Sequence, residues 1–166
     1  MAEDKKQARE VRCMVAPVEG SQILLPNSVI IQIISYTRPE PVKDGPSWLI
    51  GTVNWQKRNI PVMSFEMAAG RNFNGADASS SRYIIFKSLN HRDTMPFYAM
   101  VVSGIPHPER IDENNISVME NAAPASPLIL NEVLVNGESA SIPNLDALEE
   151  MLIQLHKLLQ QDEETA

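Results

Sequence analysis

Apolar and polar positions alternate along most of this chain, at the two-residue spacing of half-buried strands. Val11 to Val18 alternates, Gln22 to Leu25 is a short run, and Val29 to Ile34 is rich in β-branched residues, with Gly20-Ser21 and Pro26-Asn27-Ser28 as punctuation. The stretch from Pro46 to Glu66 holds two apolar runs, Trp48 to Val53 and Ile60 to Phe65, around the polar tetrapeptide Gln56-Lys57-Arg58-Asn59. That order predicts strand, exposed turn, strand, with Pro61 at the start of the second strand or on an edge because it cannot donate to a ladder. Arg82 to Lys87, Phe97 to Ile105 and Ile116 to Met119 predict further strands. Leu128 to Val135 and Ser139 to Ile142 flank Asn136-Gly137, the strongest short hairpin signal.

Other segments read as connections. Arg38-Pro39-Glu40-Pro41 and Lys43-Asp44-Gly45-Pro46 hold the chain extended, since a residue before proline is pushed out of the helical region. Ala68 to Ser81, with two glycines and three serines in a row, reads as a flexible surface loop, and Glu120 to Pro127 reads as a linker. The period then changes. Leu145, Leu148, Leu152, Leu155 and Leu159 recur at three- and four-residue steps, with Glu149, Glu150, Gln154 and Lys157 facing elsewhere, which predicts an amphipathic helix over about 145–160 packed on the β body. Pro143 and Asn144 suit its N-terminus.

With 166 residues and 43% hydrophobic content, the chain fits one domain that buries roughly 70% of its unfolded surface. Residues 1–10 are expected to form a disordered tail, 11–160 the single domain, and 161–166 a frayed end. About nine or ten short strands with turns every 8 to 12 residues favour a sandwich or small barrels over βαβ units. A formal charge of -7 argues against a nucleic-acid surface, which needs clustered cations to displace counterions. Lys5, Lys6, Arg9 and Arg12 do cluster, but Glu3, Asp4 and Glu10 interrupt them. One cysteine, Cys13, has no intramolecular partner and falls in an apolar segment, so a buried, inert thiol is expected. The start lacks an apolar signal region and no run approaches the length of a bilayer span, which points to a cytoplasmic protein without membrane insertion.

Catalytic constellations are missing. His91, His107 and His156 have no second ligand at metal spacing, so neither a metal nor a cofactor is expected. There is no phosphate loop, dinucleotide fingerprint or nucleophile elbow, and pairs such as Asp112-Glu113 and Glu149-Glu150 are adjacent residues that point apart. These absences argue against an enzyme. A small-ligand-binding barrel stays open as an alternative, and it requires a roomy apolar cavity.

The run Pro46-Ser47-Trp48-Leu49-Ile50-Gly51-Thr52-Val53-Asn54-Trp55, followed by Ile60-Pro61-Val62, resembles the CheW family of chemotaxis adaptors, whose pattern is P-x-[FW]-[LIV]-x-G-x-x-N-[LW]-R-G-x-x-[IL]-P-V. Ile30 to Tyr36 is similar to the family's V-x-E-I segment, Arg82 to Phe86 to its R-x-I-I-V strand, and Leu145-Asp146 to the L-D before its last helix. Three positions depart from the pattern. Gln56-Lys57 stands where the family has Arg-Gly, Gln32 where it has Glu, and Ser103 where its G-x-x-V-D-x-V motif has the acid. Trp55 and the missing Arg-Gly are similar to the divergent ChpC-type CheW-like proteins of type IV pilus chemosensory systems, which control twitching motility.

The resemblance implies two intertwined five-stranded SH3-like β-barrels with a C-terminal α-helix, and a non-enzymatic scaffold. It implies two partners, the regulatory domain of a CheA-type histidine kinase and the cytoplasmic tip of a methyl-accepting chemoreceptor. The partner-binding residues expected on this basis are Asn54, Trp55, Gln56, Lys57 and Arg58 at the hairpin tip, with Ile30, Gln32 and Ile33 on a neighbouring strand. Against a contact role, Trp48, Ile30 and Ile33 are of types more often found in a core than at a contact, whereas Trp55, beside a polar turn, suits a core and an interface anchor about equally.

Overall fold

The computed structural model describes residues 10–119 and 126–165, with side chains as far as Leu158. All of the expected tail except Glu10, and most of the expected linker, lie outside them. The described elements are β1 (Val11–Val18), β2 (Ser21–Pro26), a single 3₁₀ turn (Asn27–Val29), β3 (Ile30–Ser35), β4 (Leu49–Trp55), β5 (Arg58–Met63), α1 (Phe65–Ala68), β6 (Arg82–Lys87), β7 (Phe97–Val102), β8 (His107–Ile111), β9 (Ile116–Val118), β10 (Ile129–Val135), β11 (Glu138–Pro143) and α2 (Leu145–Thr165).

They form two sheets. The first has the order β8-β1-β2-β11-β10-β9 and the second β3-β6-β7-β5-β4. The chain lays down β1 and β2 in the first sheet, crosses to build all five strands of the second, and returns to finish the first. Two units made this way are intertwined. The first sheet holds six strands where five were expected, because His107–Ile111 pairs with β1. Pro106 and Pro108 hid that strand in the sequence, yet β8 lies at a sheet edge, the position where a strand tolerates proline.

Side-chain hydrogen bonds cross the open side of each curled sheet. β3 and β4 stand at opposite ends of the second sheet, but Trp55 on β4 donates its indole N–H to the Gln32 side chain on β3. In the first sheet, Asn136 in the β10–β11 turn reaches Glu109 on the edge strand β8. The interiors are filled. Val53, Trp55, Ile60, Val62, Tyr83 and Ile85 pack inside the second barrel, and Cys13, Val15, Leu24, Ile111, Val133 and Val135 inside the first. Burial pushes the Cys13 thiol pKa up, which keeps it protonated.

A third and larger cluster lies between the barrels, and it explains why some strands lack alternation. On β6, Tyr83 and Ile85 face the barrel interior while Ile84 and Phe86 face the central cluster. β7 divides in the same way, with Ala99 and Val101 inward and Tyr98, Met100 and Val102 outward. Both faces are covered, so both are apolar. α2 lays Leu145, Leu148, Leu152 and Ile153 on the same cluster. The helix continues to Thr165 rather than ending near 160, in keeping with a run of glutamines and glutamates that contains no glycine or proline.

Gly51 locks the connector onto the hairpin. Glu40 exchanges two backbone hydrogen bonds with Thr52, each 2.8 Å, across the free edge of β4. A Cβ on Gly51 would come within 2.2 Å of the Glu40 carbonyl oxygen, and its φ of 153° is one that L residues rarely adopt. A bulge between Leu49 and Gly51 turns the strand, so that Leu49 joins the central cluster while Val53 and Trp55 point into the barrel.

Candidate functional site

The β4–β5 hairpin turns on two residues. Trp55 pairs with Arg58, leaving Gln56 and Lys57 as the loop, with φ of 49° and 64°. Positive φ at both positions makes this the primed turn whose twist matches that of the strands, and such turns favour Asn-Gly. The polar tetrapeptide expected as the turn is therefore half strand, since Arg58 and Asn59 belong to β5. Lys57 sits in a conformation that suits glycine, the residue the CheW pattern has at this point.

Asn54, Gln56, Lys57 and Arg58 are exposed at the tip. Trp55 is not. It is 7% exposed, its Nε1–H donates to Gln32 Oε1 at 3.0 Å, and its ring meets Phe97 edge-on with centroids 5.0 Å apart. The exposed anchor expected from a tryptophan beside a polar turn is thus a core residue. The period-two signal was in the sequence: Val53 and Trp55, two apart, share a face, and Asn54 takes the other. Arg58 lies over the opposite partner of that stack, its guanidinium carbon 5.4 Å from the Phe97 ring centre.

The β3 residues divide. Gln32 is exposed but reaches the tip through Trp55, so residues 54–58 and Gln32 form one connected group. Ile30 and Ile33 are half-buried and pack against the central cluster, away from that group. A bulge between Ile30 and Gln32 separates the two facings. Behind the hairpin, Tyr83 donates its hydroxyl to the Thr37 carbonyl, and burial together with Tyr36 raises its pKa.

Several anchoring residues escape sequence reasoning. Glu149, expected on the exposed helix face, is fully buried and accepts from Ser88 Oγ at 2.8 Å, Leu89 N at 2.8 Å and Asn90 N at 2.6 Å. It fixes α2 to the loop after β6. Glu66 is also buried, capped by the Glu19 N–H at 3.0 Å, and burial raises its pKa despite that bond. The 69–81 segment is tied down rather than loose. Arg71 bonds Glu132 and Ser141, Glu19 accepts from the Asn74 amides, and Phe73 and Ala76 pack on the second barrel's core. Among the described residues, no three His, Cys, Asp or Glu side chains gather as a metal site. Among the described residues, no helix is long and apolar enough to cross a membrane.

Comparison with known proteins agrees with this architecture. The profile of the CheW-like domain matches residues 12–151, most of the chain. Among solved structures, the scaffolding protein TtCheW from Thermoanaerobacter tengcongensis superposes with a TM-score of 0.67 at 17% identity, over 81% of this chain and 84% of that one. At that identity the likeness concerns the fold, two SH3-like barrels with a C-terminal helix. No curated protein matches in sequence.

Proposed function

Because the chain belongs to the CheW-like domain family, we propose that it is a non-enzymatic adaptor in chemosensory signalling, coupling chemoreceptors to a CheA-type histidine kinase. The observation that supports this most is the hairpin tip. A cationic, exposed turn, Gln56-Lys57-Arg58, projects from an otherwise acidic molecule and is held in one geometry by the buried Trp55. Its partners are the regulatory domain of the kinase and the cytoplasmic tip of a methyl-accepting receptor, met through Asn54, Gln56, Lys57 and Arg58. Gln32 and Trp55 position the tip from beneath, and Ile30 and Ile33 support β3.

Within the family, Trp55 followed by Gln56-Lys57 in place of Arg-Gly favours the ChpC-type branch, and hence a cytoplasmic system that controls type IV pili and twitching motility. An adaptor of this kind changes kinase output by binding one arrangement of a receptor array better than another, and its effect is bounded by that difference in affinity.

The test is co-elution. Mixed with the regulatory domain of a CheA-type kinase, or with a receptor-tip fragment, the protein is expected to move to an earlier elution volume in size-exclusion chromatography. A folded, monodisperse protein that shifts with neither would overturn the reading.

A further inference from the structure

Beside the hairpin tip, between the start of β5, the 94–97 segment and α2, lies a cleft of about 230 Å³. Its floor is apolar, made of Leu49, Ile60, Met95 and Leu152, all buried, and its rim carries the Arg58 cation and the half-buried His156. Its size restricts what it can hold. Cavities of roughly 150 Å³ hold a benzene ring, whereas sites for drug-sized ligands begin at about 300 Å³. One bulky side chain fits.

Charge narrows the choice further. Arg58 makes no ion pair with any carboxylate among the described residues, and its guanidinium rests on Phe97, another residue lining the cleft. A cation held over a ring at the mouth of an apolar slot is placed to receive an anion attached to whatever fills the slot. We propose that this cleft docks a partner-protein segment that inserts one apolar side chain, aromatic or branched, beside a carboxylate that pairs with Arg58. The inference rests on the adaptor reading for the partner's identity, and on the cleft alone for its chemistry. It also extends the docking surface from the exposed turn down to α2.

The chemistry is tested with 3-phenylpropionate and its uncharged counterpart 3-phenylpropanol, titrated into the isotope-labelled full chain and followed by amide shifts. Both probes should perturb the amides of residues 58–60, 94, 95, 97 and 152–156 saturably, and the carboxylate should bind about three- to fivefold more tightly, as expected for one exposed ion pair. Arg58→Met should abolish that preference while keeping the shifts, and Thr94→Trp, a change at an exposed rim residue, should block both probes. Absent shifts in the cleft, or equal binding of the two probes, would overturn the proposal. The docking role is tested separately by binding of the kinase regulatory domain and the receptor tip to Thr94→Trp. At least a tenfold loss toward one of them is expected. Undiminished binding of both would overturn the docking role and leave the adaptor function standing. A wild-type protein that ignores both partners would instead overturn the adaptor function.

Discussion

Trp55 has a large apolar ring and a single N–H, and the second barrel satisfies both, the ring against Phe97 and the N–H on Gln32. Truncation would leave a cavity in a closed barrel and orphan the bond that joins its two edge strands. Trp55→Ala is therefore expected to destabilise by about 3–5 kcal/mol, read from denaturant or thermal unfolding, and any loss of binding in that variant would reflect folding. A melting temperature equal to the wild type would place the indole outside the core. Glu66 gives a pH-dependent counterpart. Burial raises its folded pKa above the ordinary carboxylate value, so the stability linked to its proton is fully present below that value and is lost as pH rises through the folded pKa. Glu66→Gln should accordingly gain stability relative to wild type as pH is raised from 4 to 7. A difference that does not vary with pH would contradict the raised value.

At the scale of elements, strands with one covered face, or with both, were legible from residue type alone, as β1 and β6 show. Turn chemistry was legible only where the residues advertise it. Asn136-Gly137 announces a primed turn, and its φ values of 51° and 83° agree, whereas Gln56-Lys57 adopts the same geometry without the residues that signal it. β8 was masked by its prolines. The helix stripe was read correctly at Leu145, Leu148 and Leu152, but periodicity treats every glutamate as a solvent residue and cannot foresee the three donors that converge on Glu149. That convergence is the main polar attachment of α2. Glu149→Ala leaves buried donors without an acceptor, and a loss of about 3 kcal/mol is expected, with faster amide exchange in α2 and at residues 88–90. Unchanged exchange there would mean that the leucine stripe alone fixes the helix.

For the whole molecule, the intertwined topology makes the two barrels interdependent, since β6 and β7 and β1 and β2 each give one face to a barrel and the other to the shared cluster. The filled second barrel and the Trp55–Gln32 bond support the hairpin in its folded geometry, and such preorganisation lowers the cost of docking. The candidate site was legible as a stretch but not in its parts. The motif located the hairpin, while the division between the exposed Lys57 and Arg58 and the buried Trp55 needed the closed barrel. The role proposed for these exposed cations is to dock a signalling partner. Titration calorimetry of the kinase regulatory domain against wild type and a Lys57→Glu/Arg58→Glu variant tests it most directly. At least a tenfold weaker affinity, about 1.4 kcal/mol or more, is expected for the variant, with the melting temperature unchanged. Equal affinity in the two proteins would contradict it.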